Sequence, residues 1–138
     1  MNTLDEIAAT FRGVDVELRL QLLLDFAKRL PELPERLRDK RDAGLNRVHE
    51  CMTPLFLFVE PGVEQGTLRL YLDVAEEAPT IRGFAGILTK ALDGRPKEEW
   101  RAIPDDLVNR LGLGGVIRMN RLVGIAALVG RLRAAASD

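Results

Sequence analysis

Leu68, Leu70 and Leu72 alternate without a break with Thr67, Arg69, Tyr71 and Asp73. A period of two places the leucines on one buried face of an extended strand and the polar residues on a face that meets water. Just upstream, Leu55 to Glu60 is apolar almost throughout, as suits a central strand. Pro61-Gly62 through Gln65-Gly66 supplies turn chemistry between the two runs. An antiparallel hairpin follows. Leu45 to Glu50 reads as a further short strand, so the expectation is a small three-stranded antiparallel sheet.

The flanking segments have helical spacing. Thr3 caps a short helix through Phe11, with Glu6 completing the S/T-x-x-E pattern and Leu4, Ile7, Ala8 and Phe11 as its apolar stripe. From Asp15 a longer helix carries Val16, Leu20, Leu23, Leu24 and Ala27 on one side and stops near Leu30, ahead of Pro31. The stretch from Leu30 to Asp42 holds no period and reads as a solvated connection ending at Gly44. Glu76 to Leu92 is helical through Ile81, Phe84, Ala85, Leu88 and Leu92, with Gly83 and Gly86 allowing another element to come close. Pro96 to Trp100 and Pro104 to Leu111 read as short helices, and Met119 to Ala135 as a last, mostly apolar one. Helices before and after a central sheet predict one α+β domain over residues 1–138, with the helices packed on one face of the sheet.

Function classes fall away quickly. With 20 Lys and Arg against 21 Asp and Glu, the field has no basic bias to attract nucleic acid. Met1-Asn2-Thr3-Leu4-Asp5-Glu6 lacks the basic and apolar regions of a signal peptide, and no apolar run approaches the roughly 18 residues of a membrane span. The expectation is a cytoplasmic protein off the membrane. One cysteine, Cys51, excludes an internal disulfide, a Cys-x-x-Cys pair and a thiolate set for a cluster. With a single histidine, His49, a zinc site would need mostly carboxylates, so no metal is expected. Leu111-Gly112-Leu113-Gly114-Gly115 follows a helical stretch rather than a strand, so it reads as helix termination and not as a phosphate loop.

Both of these single residues lie in Arg47-Val48-His49-Glu50-Cys51-Met52-Thr53-Pro54, next to the apolar strand. A thiol there sits at the edge of a rigid element, where it is presented rather than entombed. If Arg47 to Cys51 is extended, Arg47, His49 and Cys51 share one face at intervals of roughly 6.6 Å. Cationic neighbours would favour the thiolate, while Glu50, on the other face, would oppose it weakly. The competing reading is that Cys51 is a small buried hydrophobe and His49 a surface residue. Cys–His hydrolase chemistry is disfavoured, because two residues apart on one strand is an awkward distance for a direct hydrogen bond.

The order Leu30-Pro31-Glu32-Leu33-Pro34, Val48 to Cys51, the strand from Leu55, Arg82-Gly83, and Arg121 to Gly124 resembles the SufE family of sulfur-acceptor proteins over nearly the whole chain. Glu50 stands where many members have Gly before the cysteine. Gly114-Gly115-Val116-Ile117-Arg118 replaces the usual Ser/Thr-Pro approach to the last helix, leaving Arg118 and Arg121 as alternatives for the family's arginine. The resemblance implies a SufE/IscU-like fold. It also implies an accessory protein rather than an enzyme, which accepts persulfide sulfur on Cys51 from a PLP-dependent, SufS-like cysteine desulfurase and stimulates that desulfurase. The sulfur then passes to a SufB-containing scaffold for iron–sulfur cluster assembly. The chain itself would hold no cofactor, since the PLP belongs to the desulfurase. Glu77, Arg82 and Arg121 would contact the partner or shape the cysteine loop, though a solvated helix face explains Glu77 and Arg82 equally well. Two other classes stay open: a desulfurase-binding activator in which the thiol is incidental, and a single-cysteine peroxide reducer.

Overall fold

The computed structural model describes residues 2–137. Its sheet is built on the expected hairpin. Strand β1 (Leu55–Pro61) pairs antiparallel with β2 (Thr67–Val74) in a register that sets Leu55 opposite Val74, Leu57 opposite Leu72 and Val59 opposite Leu70. Leu68, Leu70, Leu72 and Val74 are buried, and the residues between them are half-buried. The alternation is thus realised residue by residue.

The third strand is a different one from that expected. It is β3 (Arg95–Pro96), which pairs with Thr67 and Leu68, so the order is β1-β2-β3 and the central strand is β2. Leu45 to Glu50 does not form a strand. Gly44 (φ 81°) and Asn46 (φ 64°) hold the chain in left-handed turns, a conformation that Gly and Asn tolerate best. The segment reaches β1 through an isolated bridge from Arg47 to Phe56 and through Asn46 Nδ2, which donates to the Leu57 carbonyl (3.0 Å). The edge strand β1 is nevertheless apolar because both its faces are covered. Leu55, Leu57 and Val59 join the main core, whereas Phe56 and Phe58 pack with Leu33, Leu37 and Tyr71 in a smaller cluster.

Leu37 belongs to a helix that the charge pattern concealed, α3 (Glu35–Asp42). Seven polar or charged residues surround that one buried leucine, so no apolar stripe marks the helix. Helix α1 (Thr3–Arg12) is capped by Asn2, one residue before the expected Thr3. The Asp5 amide donates to Asn2 Oδ1 (2.9 Å), and the Asn2 amide donates to Asp5 Oδ2 (3.2 Å). In α2 (Val16–Lys28) Asp15 is the cap, but the helix is rotated from the expected stripe. Leu23 and Ala27 are buried, while Val16, Leu20 and Leu24 remain largely exposed. Arg19 takes part of the inward face by donating to the carbonyls of Phe11 and Gly112.

The rotation is set by α4 (Pro79–Leu92), whose glycines let α2 approach. A Cβ at Gly83 would lie 2.6 Å from Leu23 atoms, and one at Gly86 would lie 2.3 Å from the Phe26 carbonyl oxygen. Pro79 opens α4, so Glu76 and Glu77 fall in the preceding turn, closed by the Ala78 amide on the Ala75 carbonyl (3.1 Å). The short helices α5 (Lys97–Arg101) and α6 (Leu107–Arg110) lead to α7 (Met119–Ala135), which has the expected span. Trp100 of α5 is fully buried, with its indole N–H donating to the Leu92 carbonyl (3.0 Å).

Candidate functional site

The site is a loop at the open end of the hairpin. The Val48 amide donates to the Leu55 carbonyl (2.8 Å), which closes a loop over the residues between them. Within it the Cys51 amide donates to the Val48 carbonyl (3.2 Å), so Val48 to Cys51 is a tight turn and not extended chain. The alternation that would align Arg47, His49 and Cys51 on one face is therefore absent. His49 and Glu50 are exposed, Met52 is 78% exposed, and Arg47 is half-buried with its Nε lacking a hydrogen-bond partner among the described residues. Cys51 itself is only 3% exposed and is part of the main core. The thiol is enclosed rather than presented, which corrects the reading taken from its place beside a strand.

What encloses it is α7. A Cβ on Gly124 would stand 2.9 Å from Cys51 Sγ, 3.2 Å from its Cβ and 3.4 Å from its Cα, so the missing side chain is the space in which the cysteine sits. On either side an arginine of the same helix holds the loop. Arg121 Nη1 donates to Thr53 Oγ1 (2.7 Å), and Arg131 Nη2 donates to Glu50 Oε1 (2.8 Å). Positions 121, 124 and 131 are separated by three and seven residues and so lie along one helix face. The loop is laid down that face with Cys51 between the two tethers. Of the two arginines left open by the sequence, Arg121 reaches the loop; Arg118 is the exposed N-cap of α7.

The end of β2 supports the loop from the other side. The Ala75 amide donates to the Pro54 carbonyl (3.2 Å), which brings the turn carrying exposed Glu77 against the loop's far end. Arg82 is committed to backbone: its Nη1 donates to the Val74 carbonyl (2.7 Å) and its Nη2 to that of Ala27 (3.5 Å). It ties β2 to α2. Thr53, Gly124 and Arg131 were not singled out as neighbours of the cysteine from sequence, although Gly124 closes the Arg-x-x-Gly pattern.

The Glu50 carboxyl is held below its ordinary value, first by its own backbone N–H and then by Arg131. The share of this depression that comes from Arg131 stabilises the closed loop above the unfolded value, and that share is lost as pH falls through the folded value. Cys51 should accordingly become more accessible in acid below about 4.5, the ordinary carboxyl value. The Glu50→Gln protein should lose this acid-dependent step, as read by the rate of reaction with 4,4′-dithiodipyridine. The same step in both proteins would detach Glu50 from loop closure.

Among the described residues no three His, Cys, Asp or Glu side chains are grouped so as to hold a metal, and no helix is long and apolar enough to cross a membrane. Fold and site together define an α+β domain with one thiol folded beneath a tethered loop. The chain belongs to the SufE family, the Fe-S metabolism associated domain, whose match covers residues 5–136. It is 38% identical over 130 residues to uncharacterized SufE-like proteins of Mycobacterium tuberculosis strains CDC 1551 and H37Rv, covering 94% of this chain and 88% of each relative. The solution structure of a hypothetical protein from Thermus thermophilus superimposes with a TM-score of 0.79 at 35% identity, covering 99% of this chain and 96% of that one.

Proposed function

We propose that this protein is a sulfur acceptor for a PLP-dependent cysteine desulfurase of the SufS type, with Cys51 as the carrier. It passes the sulfur to a SufB-containing scaffold that assembles iron–sulfur clusters, and it acts in the cytoplasm. The supporting observation is the arrangement around the one thiol: a loop held along α7 by Arg121 and Arg131, with Gly124 leaving room for sulfur. In the transfer, the Cys51 thiolate attacks the outer sulfur of the desulfurase persulfide. A new S–S bond forms on Cys51 while the desulfurase's S–S bond breaks, and its cysteine leaves as thiolate. One neutral sulfur atom moves and no external oxidant or reductant is consumed.

A thiol 3% exposed cannot make that attack until the loop opens. The tethers are few, and the Arg121–Thr53 hydrogen bond is worth about 1–2 kcal/mol, so opening is a local event well below global unfolding. Met52, already in solvent beside the cysteine, marks where a partner first meets the loop. Removing the tether in Arg121→Ala should raise the rate of Cys51 alkylation by iodoacetamide about tenfold while the melting curve stays nearly in place, as follows from 1.4 kcal/mol per decade. An unchanged rate would mean that Arg121 does not hold the loop shut.

The burial of Cys51 also favours a second reading, in which the surface binds and stimulates the desulfurase and the thiol is a core residue. Alanine production by the desulfurase separates the two. If Cys51 is the acceptor, Cys51→Ser abolishes the stimulation that depends on sulfur removal; stimulation fully retained in that variant supports the activator.

A further inference from the structure

The outer edge of β2 is only partly paired. Alternation along the strand turns the backbone groups of Leu68, Leu70, Leu72 and Val74 away from β1. The Gly94 amide donates to the Leu68 carbonyl (2.8 Å), the Leu70 amide to Asp93 Oδ1 (2.9 Å), and Arg82 to the Val74 carbonyl (2.7 Å). Between these points the Leu70 carbonyl, both groups of Leu72 and the Val74 amide find no hydrogen-bond partner among the described residues. β3 ends too soon to reach them. The segment from Leu30 to Leu33 runs alongside without pairing, and Pro31 has no N–H to offer.

The gap is hollow. A cavity of about 120 Å³ lies between Leu30 and Leu33 on one side and Leu70, Leu72 and Thr89 on the other; Thr89 is 8% exposed and its hydroxyl has no hydrogen-bond partner among the described residues. A groove of about 590 Å³, sharing Leu30 to Leu33 as a wall, continues past Val74 to Ala75, which is bonded to Pro54 of the cysteine loop. Alternating acceptor, donor, acceptor and donor along about 10 Å of strand is the pattern that another extended backbone satisfies. The groove also carries one cation in excess, with Lys28, Arg38, Arg41 and Arg82 against Glu32, Asp73 and Glu76. Arg41 pairs with Asp73 (3.4 Å) and Arg38 with Glu32 (3.6 Å), while Arg82 is held by backbone carbonyls and Lys28 lines the groove without a carboxylate ion pair among the described residues.

We propose that this edge is a docking groove for an extended acidic segment of the desulfurase, which adds to the sheet beside Leu70 to Val74 and runs toward the Cys51 loop. The assignment of the occupant rests on the sulfur-acceptor reading. Strand addition supplies the hydrogen bonds that Leu72 and Val74 lack, and it anchors the partner next to the loop that has to open.

The test is amide hydrogen exchange on the full chain, free and bound to the desulfurase, together with the affinity of Lys28→Glu. In the free protein the Leu72 and Val74 amides should exchange faster than those of Tyr71 and Asp73, which face β1. In the complex they should slow tenfold or more, and Lys28→Glu should weaken binding three- to tenfold by placing like charge against the acidic segment. A complex that forms with Leu72 and Val74 exchanging as before overturns the groove and leaves the acceptor reading standing. Protection of both amides already in the free protein overturns it too, since the Leu30 to Leu33 segment would then be the pairing strand. No complex at all contradicts the acceptor reading and removes the assigned occupant with it.

Discussion

The Gly124→Ala protein should react with thiol reagents about ten to a hundred times faster than the parent. The new methyl carbon would stand 2.9 Å from Cys51 Sγ and within 3.4 Å of the Cys51 Cα, closer than packed side chains accept. Forcing such a contact costs about 1–3 kcal/mol when nothing moves. The Arg121–Thr53 hydrogen bond that keeps the loop shut is worth about 1–2 kcal/mol, so the loop gives way before the helix does. Each 1.4 kcal/mol taken from the closed state raises the reactive population about tenfold. The same change improves helix propensity by up to about 1 kcal/mol, so the melting temperature should fall little. A thiol as slow as the parent's, with a large loss of stability, would show that the strain is absorbed in the core and that the loop does not hinge here.

Gly86→Ala, by contrast, should act on the whole fold. Its Cβ would meet the Phe26 carbonyl oxygen at 2.3 Å and the carbonyl carbon at 2.9 Å, both backbone atoms of α2. There is no flexible side chain to yield, so α2 and α4 have to separate. Overpacking of this kind costs about 3 kcal/mol or more, against a propensity gain of about 1 kcal/mol. The net loss of about 2 kcal/mol corresponds to roughly 5–10 °C in melting temperature for a chain of this size. Urea unfolding with an unchanged m-value would establish that stability alone has moved. A gain in stability, the ordinary result of Gly→Ala at an exposed helix position, would contradict the close packing of these helices.

The sequence made some of this legible. The unbroken alternation from Thr67 to Asp73 specified a strand, its buried face and the hairpin partner, because a one-residue slip would have inverted every side chain. The spacing of Gly83 and Gly86 pointed to a close helix contact, and Arg121 to Gly124 proved to be the piece of α7 that touches the cysteine loop. Other features had no local signal. α3 has one buried leucine among charged residues, and β3 is two residues long, so neither carries a period to read. Leu45 to Glu50 contains strand-compatible residues, but Gly44 and Asn46 adopt positive φ and turn the chain aside. The burial of Cys51 depends on a helix 68 residues beyond the loop that it tethers, a tertiary pairing that neighbouring residues do not encode. The same pairing places Arg121 and Arg131, and not Arg47 or His49, as the cations that hydrogen-bond to loop side chains.

A carrier whose sulfur is enclosed at rest is protected from oxidation and from self-pairing, since both require an accessible thiolate. It becomes reactive only when the loop leaves α7. Under the proposed function, partner binding and sulfur transfer would be coupled through that one local opening. The tethers at Thr53 and Glu50 are then expected to set how readily that opening occurs.

Sulfur acceptance by Cys51 is tested most directly by intact mass after incubation with a cysteine desulfurase, PLP and L-cysteine in the absence of reductant, with Cys51→Ser run alongside. A gain of one sulfur, about 32 Da, that is absent from the variant and removed by dithiothreitol is the predicted result for persulfide transfer by thiol exchange. An unmodified parent chain in a reaction where the desulfurase turns over would contradict it.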